Sequence, residues 1–173
     1  MGVVIWRVVA SDASALTRGA HAAKRHWKYP EDWIRLWRDA LTVTPGFVAR
    51  HSVCCAIRGA SMLGFYALSG VGPVRELEHL WVLPAHIGRG VGARLLDHAV
   101  VTLSADGARV LRIASDPNAE GFYLTMGAGR VGEVASTPRG RTLPALGSRS
   151  PRGRRIRFEA LTERRIARRW RCG

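Results

Sequence analysis

The sequence has no apolar run approaching the roughly 20 residues that a membrane span requires. Its opening, MGVVIWRVVA, lacks the pattern of a signal peptide, so a cytoplasmic domain with no membrane partner is the expectation. Cysteine is scarce. Cys54 and Cys55 are adjacent and Cys172 stands far away, which gives neither a disulfide framework nor a metal spacing. The six histidines contain no H-E-x-x-H or other paired ligand spacing, so no metal is expected. Lysine is nearly missing: only Lys24 and Lys28 occur among the 27 basic residues. No internal repeat is present, which excludes a solenoid.

What is present suits one globular domain. The chain has 173 residues, 47% of them apolar and 23% charged, enough for a sizeable core. Its formal net charge is +14. Residues 139–173 hold twelve arginines against Glu159 and Glu163, so residues 1–138 carry only +4. The charge is therefore a property of the tail.

Read in order, residues 3–10 form a β-branched run suited to a strand, and Asp12 or Ser14 can cap a helix ending near His26. Pro30 with Glu31 and Asp32 starts a second helix, on which Trp33, Leu36, Trp37 and Ala40 fall on one face. Residues 47–57 and 62–69 read as an antiparallel hairpin, and 76–83 as a fourth strand stopped by Pro84. A helix then opens within 88–93 and runs to about Ala105, closed by Asp106 and Gly107. A strand at 110–114, a short helix from Asn118 to about Met126 and a strand at 129–135 follow. Residues 136–153 are rich in Pro, Gly, Ser and Arg and read as a long loop. Residues 156–161 alternate as a last strand paired with 129–135 would. The class is α/β.

The most informative segment is E-L-E-H-L-W-V-L-P-A-H-I-G-R-G-V-G-A-R-L-L, residues 76–96. It is a strand, a proline stop, a glycine-rich turn and a helix start. Such a turn presents several backbone N–H groups to one point, with the positive end of the helix dipole behind them. Glycines let a phosphate approach the backbone, and Arg89 adds a formal charge. A phosphate or pyrophosphate ligand is the functional reading; a tight turn with no ligand is the plain one. Gly88, Gly90 and Ala93 satisfy the dinucleotide fingerprint G-x-G-x-x-G/A. The context is wrong for it. Three strands and two helices precede the turn, three residues separate it from its strand, and the next acid of interest, Asp116, lies too far on.

Coenzyme A is the other pyrophosphate ligand, and here the segment resembles motif A of the GNAT superfamily of N-acetyltransferases. That motif reads Gln/Arg-x-x-G-x-G/A after a strand ending in L-x-V-x-P. Leu80 to Pro84 match the strand end, and Gly90 and Gly92 match the last two glycines, with Gly88 as the extra glycine common before them. Ile87 departs from the pattern at the Gln/Arg position, which leaves a backbone N–H where the family has a side chain. Downstream, Asn118-Ala119-Glu120-Gly121-Phe122-Tyr123 and then Met126-Gly127-Ala128 resemble motif B, N-x-x-x-F/L-Y-x-x-x-G. Without the resemblance, this is a short helix with Phe122 packing inward and Tyr123 pointing elsewhere. The likeness extends from about residue 3 to 145, with the Arg-rich segment 146–173 beyond it.

The resemblance implies a GNAT-like fold: a central, mostly antiparallel sheet with helices on both faces and a splay between the fourth and fifth strands. It implies acetyl-CoA as cosubstrate, held by Trp81, Val82, Ile87, Gly88, Arg89, Gly90, Val91, Gly92, Ala93, Asn118, Phe122 and Tyr123. The thioester carbonyl would meet a backbone N–H near Trp81 or Val82, and Tyr123 would protonate the leaving thiolate. A strand-four carboxylate acting through water would be the base. Glu76 and Glu78 are both candidates, with Glu76 slightly favoured, and they share a strand face opposite His79. The acceptor would be a primary amine of a small molecule or peptide. Trp27 and Tyr29, in the interhelix connection, are the candidates to touch it, whereas Trp33 and Trp37 on the apolar stripe read as core. No dense acidic cluster argues for a polycationic acceptor. Dimers are common in the superfamily, so the resemblance admits a homodimer.

A second class of function rests on the tail T-E-R-R-I-A-R-R-W-R-C-G, residues 162–173. Arginines with an interleaved tryptophan suit a polyanion, which would make the chain a GNAT-like binding or regulatory module on nucleic acid. A solvated terminus is the plainer reading.

Overall fold

The computed structural model describes residues 2–148 and 157–159. The expected basic helix at 162–173 lies outside the described residues. The chain forms two compact units. One takes the residues up to Ser69 together with Glu78–Ala99, the other Gly70–Leu77 and the residues from Val100 on.

In the first unit, β1 (Val4–Arg7) pairs antiparallel with β2 (Ser52–Arg58), and β2 with β3 (Ser61–Ser69). The hairpin turn carries Gly59 at φ +59°, a conformation that favours glycine. Val53 to Ala56 and Leu63 to Leu68 are buried without alternation. Such continuous burial requires cover on both faces of the sheet. Helix α1 (Ala13–His26) supplies one cover: a Cβ on its Gly19 would lie 2.9 Å from Met62 Cε and 3.8 Å from Phe65 Cε1. The first turns of α5 (Val91–Ala105) supply the other, where Leu95 reaches Gly64 and His98 Nδ1 lies 2.9 Å from the Tyr66 hydroxyl.

Two expectations for this unit are corrected. The second helix is not continuous but divides into α2 (Glu31–Leu36) and α3 (Arg38–Leu41), with the fully buried Trp37 at the break. Seating that ring in the core outweighs the modest gain from an unbroken helix. Residues 47–50 are not strand but part of α4 (Pro45–Arg50). The Thr44 hydroxyl accepts the Phe47 N–H at 3.0 Å and Pro45 occupies the first helical turn, start signals that outweigh the β-branched character of the run.

In the second unit, the first half of β4 (Val74–Val82) lies parallel to β5 (Val110–Ala114), pairing only at Val74↔Val110, Arg75↔Leu111 and Glu76↔Arg112. Helix α6 (Glu120–Thr125) follows β5. Strands β6 (Ala128–Ser136) and β7 (Arg141–Ser148) then form an antiparallel hairpin, and β7 pairs with β5 at Ile113↔Leu146 and Ala114↔Ala145. The strand order here is β4-β5-β7-β6. The loop expected over 136–153 is thus overturned across 141–148. The turn signals Pro138 and Gly140 mark a four-residue hairpin turn, and Leu143, Ala145 and Leu146 beyond it are buried. The last strand, β8 (Arg157–Glu159), is shorter than expected and pairs parallel with β5 rather than with β6. No helix among the described residues is long and apolar enough to cross a membrane.

Candidate active site

The glycine-rich turn is a series of tight bends that ends in a helix. After β4, Leu83 N–H bonds to Leu63 O at 2.9 Å, and Pro84–His86 make a 3-10 turn. Gly88 and Gly90 adopt φ +75° and +76°. A Cβ on either would meet no atom within 4 Å, so glycine is required by backbone conformation and not by space. The helix begins at Val91, within the expected opening over 88–93. Val91 is buried and anchors the turn. Arg94 is the first residue of the helix whose N–H reaches an acceptor in the preceding turn, Gly90 O at 3.2 Å. The N–H groups of Val91, Gly92 and Ala93 belong to the orphan set of a helix N-terminus, and the dipole of a 15-residue helix adds to their positive end. Ile87 and Arg89 are exposed beside them. An anion such as a phosphate is the group this surface can hold.

The β4 segment before the turn is pressed from one side by a residue that sequence reading passed over. A Cβ on Gly64 of β3 would fall 2.5 Å from Trp81 O and 3.1 Å from Val82 Cα. Glycine at 64 therefore sets how closely β3 approaches the Trp81–Val82 backbone. Of the two candidate carboxylates, both half-buried, Glu78 accepts the Ser69 hydroxyl at 2.5 Å, and Glu76 stands at the last β4–β5 pair. His79 is buried and packs against Phe47 and Phe65 at 5.5 and 5.9 Å between ring centroids. Its Nδ1 accepts the Trp81 Nε1–H at 3.1 Å. An indole nitrogen only donates, so Nδ1 carries no proton and His79 is the neutral Nε2–H tautomer in this arrangement.

An aromatic box lies in the same unit. Tyr29 stacks on Trp33 (6.0 Å, 22°) and meets Trp37 edge-on (5.0 Å, 89°). The Lys24 ammonium sits 4.3 Å from the Trp37 ring centroid, 4.7 Å from that of Tyr29 and 6.0 Å from that of Trp81. Trp37 is core, Trp33 half-buried. Of the two residues expected to touch an acceptor, Tyr29 is in this box, while Trp27 is exposed with its ring edge-on to His26 at 5.1 Å. Neither Lys24 nor Trp81 was singled out from sequence as part of such a box. A lysine and a tryptophan 57 residues apart carry no local signal of it.

In the second unit, Tyr123 of α6 is buried and Phe122 half-buried, which reverses the expected inward and outward assignment. Burial pushes the Tyr123 phenol well above its ordinary range, and the negative charge of Asp116 pushes the same way. The side chain is therefore a protonated donor at every physiological pH. Asp116 was not assigned a role from sequence, yet it organises this loop. Its Oδ1 accepts both the backbone N–H and the Nδ2–H of Asn118, each at 3.0 Å. Its Oδ2 lies 3.6 Å from the Arg141 guanidinium of β7, and both side chains are about a tenth exposed. Asn118 is thereby held in a fixed pose at the start of the short helix.

Comparison with known proteins now places the chain. It belongs to the acetyltransferase (GNAT) family, whose family model matches residues 15–128. The protein is therefore an acyltransferase of the N-acetyltransferase type. A search of the curated proteins found no match. Solved structures share the fold. The PaiA N-acetyltransferase of Thermoplasma acidophilum, crystallised with coenzyme A, is 18% identical with a TM-score of 0.70 over 84% of this chain and 98% of its own. A GNAT family acetyltransferase from Brucella melitensis in complex with acetyl-CoA is 23% identical with a TM-score of 0.57, covering 82% and 95%. The ribosomal-protein-S18-alanine N-acetyltransferase of Escherichia coli is 17% identical with a TM-score of 0.60, covering 88% and 98%.

Proposed function

We propose that the protein transfers an acetyl group from acetyl-CoA to a primary amine of a small molecule or peptide, by direct attack of the amine on the thioester. The observation that carries this reading is the turn in which Gly88 and Gly90, both near φ +75°, lead into the first N–H groups of α5. That turn suits a pyrophosphate, and two proteins of the same fold were crystallised with coenzyme A or acetyl-CoA.

In this reading a backbone N–H of Trp81 or Val82 polarises the thioester carbonyl and holds the oxyanion of the tetrahedral intermediate. The amine must be neutral to attack, and Glu76 or Glu78 takes its proton through water. Collapse of the intermediate breaks the C–S bond and leaves a thiolate. Tyr123 donates to that sulfur. A phenol raised above about 10 is a weaker acid than a thiol near 8.5. Its main contribution is therefore a hydrogen bond to the developing thiolate, with the net proton supplied by the amine. Asn118, fixed by Asp116, binds the cofactor arm. Tyr29 and Trp27 receive the acceptor. The test is thiol release from acetyl-CoA across a panel of primary amines, with the product identified by mass. Amine-dependent release with an N-acetylated product is expected; protein that binds acetyl-CoA but acetylates none of the amines contradicts the proposal.

A further inference from the structure

Primary amines are nearly absent from this chain. Of its 27 basic side chains only Lys24 and Lys28 are lysines. The others are guanidinium groups, which keep their proton and so do not attack a thioester. Lys24 is 6% exposed, with its ammonium held among the rings of Tyr29, Trp37 and Trp81. Lys28 is exposed, and is the one side-chain amine that a cosubstrate can reach. Its place is unusual. Just past the end of α1, its N–H bonds to Arg25 O at 2.9 Å and its backbone turns left-handed at φ +54°. Glycine or asparagine is the ordinary choice at such a helix end, and a residue with a larger side chain costs about 1–2 kcal/mol there. Among the described residues no other non-glycine residue has a positive φ. Lys28 also stands between Trp27 and Tyr29, the two residues read as receiving the acceptor. The rings of Tyr29 and Trp81 lie 4.7 and 6.0 Å from the same Lys24 ammonium, so this loop borders the part of β4 where the thioester is read to bind.

We infer that Lys28 is a modification site: when no acceptor is present, the protein transfers an acetyl group from acetyl-CoA to its own Lys28 Nζ. This rests on the reading above, in which a primary amine attacks the thioester at the Trp81–Val82 backbone. The Lys28 ammonium first gives a proton to the water-linked carboxylate. The neutral Nζ then attacks the acyl carbon, a C–N bond forms, and the C–S bond breaks with its electron pair leaving on sulfur. The proton shed by the new amide nitrogen goes to the thiolate. Acetyl-CoA and one lysine ammonium thus give N-acetyllysine, free coenzyme A and one proton. The product removes a positive charge from the acceptor loop and places an acetylated side chain next to Tyr29 in the chain. Self-acetylation and acceptor turnover draw on the same site.

The full-length protein is incubated with saturating acetyl-CoA in a buffer free of amines, and intact mass and peptide mapping are followed over time. A synthetic peptide of residues 22–33, with both lysines free in solution, supplies the uncatalysed rate. One acetyl group per chain is expected, at Lys28 and at neither Lys24 nor the α-amino group. Its rate should exceed that of the same lysine in the peptide by about tenfold or more, because the loop holds the amine at the thioester. The position of the label is itself diagnostic. In solution an α-amino group, with a pKa of about 8, is neutral far more often than a lysine at about 10.4, and it reacts first. Desulfo-CoA, which fills the cofactor site without an acyl group, should suppress the reaction. The rate per molecule should not change on roughly tenfold dilution, as a reaction within one chain requires. Lys28→Arg, which keeps the charge, should take up no acetyl group. Labelling at the peptide's rate, labelling indifferent to desulfo-CoA, a rate that falls on dilution, or uptake by Lys28→Arg overturns the proposal and leaves acetyl transfer to free amines standing. So does amine-dependent thiol release by protein whose Lys28 stays unmodified. Failure of acetyl-CoA to raise the melting temperature overturns the underlying reading itself.

Discussion

Tyr123 shows how far one residue's environment constrains its chemistry. Burial keeps its phenol protonated, so Tyr123→Phe should lower kcat by about 10²-fold while changing the KM for acetyl-CoA little. The raised pKa also has a stability consequence. Above its unfolded value near 10, the folded state holds a proton that the unfolded state has lost, so stability falls as pH rises further. Melting curves of the wild type should show that alkaline loss, and Tyr123→Phe should lack this component. For the base, replacing Glu76 or Glu78 by Gln should depress the rate mainly at lower pH, where the amine proton must be removed. The variant whose pH–rate profile is unchanged identifies the carboxylate that is not the base. Single residues were unevenly legible in the sequence. Gly88, Gly90 and Tyr123 stood in motifs with local spacing, so they could be named. Gly64, Asp116 and Lys24 matter through partners far away in the chain, such as the Trp81 carbonyl and the Arg141 guanidinium, and spacing carries no trace of such pairs.

At the scale of elements, β4 and the turn after it are where structure and chemistry meet. Gly64→Ala would place a Cβ against the Trp81 carbonyl, and backbone cannot move aside as a flexible side chain can. It should cost about 1–3 kcal/mol and weaken acetyl-CoA binding, measurable as a lower Tm and a higher KM. Gly90→Ala has open space but a left-handed backbone, so it should cost about 1–2 kcal/mol in conformational strain with no clash. Its larger effect should be on acetyl-CoA affinity. The elements that sequence reading placed well, α1, β3, β4, β5 and α5, are long or bounded by clear stops such as Pro84 after β4 and Gly107 after α5. It failed where tertiary packing outweighed local pattern. Trp37 breaks a helix in order to be buried, and β7 pairs with β6 and β5 despite a composition that reads as loop. The helix at Pro45 had a signal in Thr44-Pro45, and the apolar run after it masked that signal.

The whole molecule combines a family fold with a charge distribution of its own. Its +14 is concentrated in residues 139–173, so charge alone says little about the segment from 15 to 128 that carries the family match. Everything in the account depends first on coenzyme A occupying the glycine-rich turn. The direct test is a thermal and calorimetric titration with acetyl-CoA, with NAD and NADP as controls. A ligand that binds only the folded state at 100-fold above its Kd adds about 2.7 kcal/mol of stability. Acetyl-CoA should raise the melting temperature accordingly, and the dinucleotides should not. No response to acetyl-CoA, or stabilisation by a dinucleotide in its place, would contradict the account.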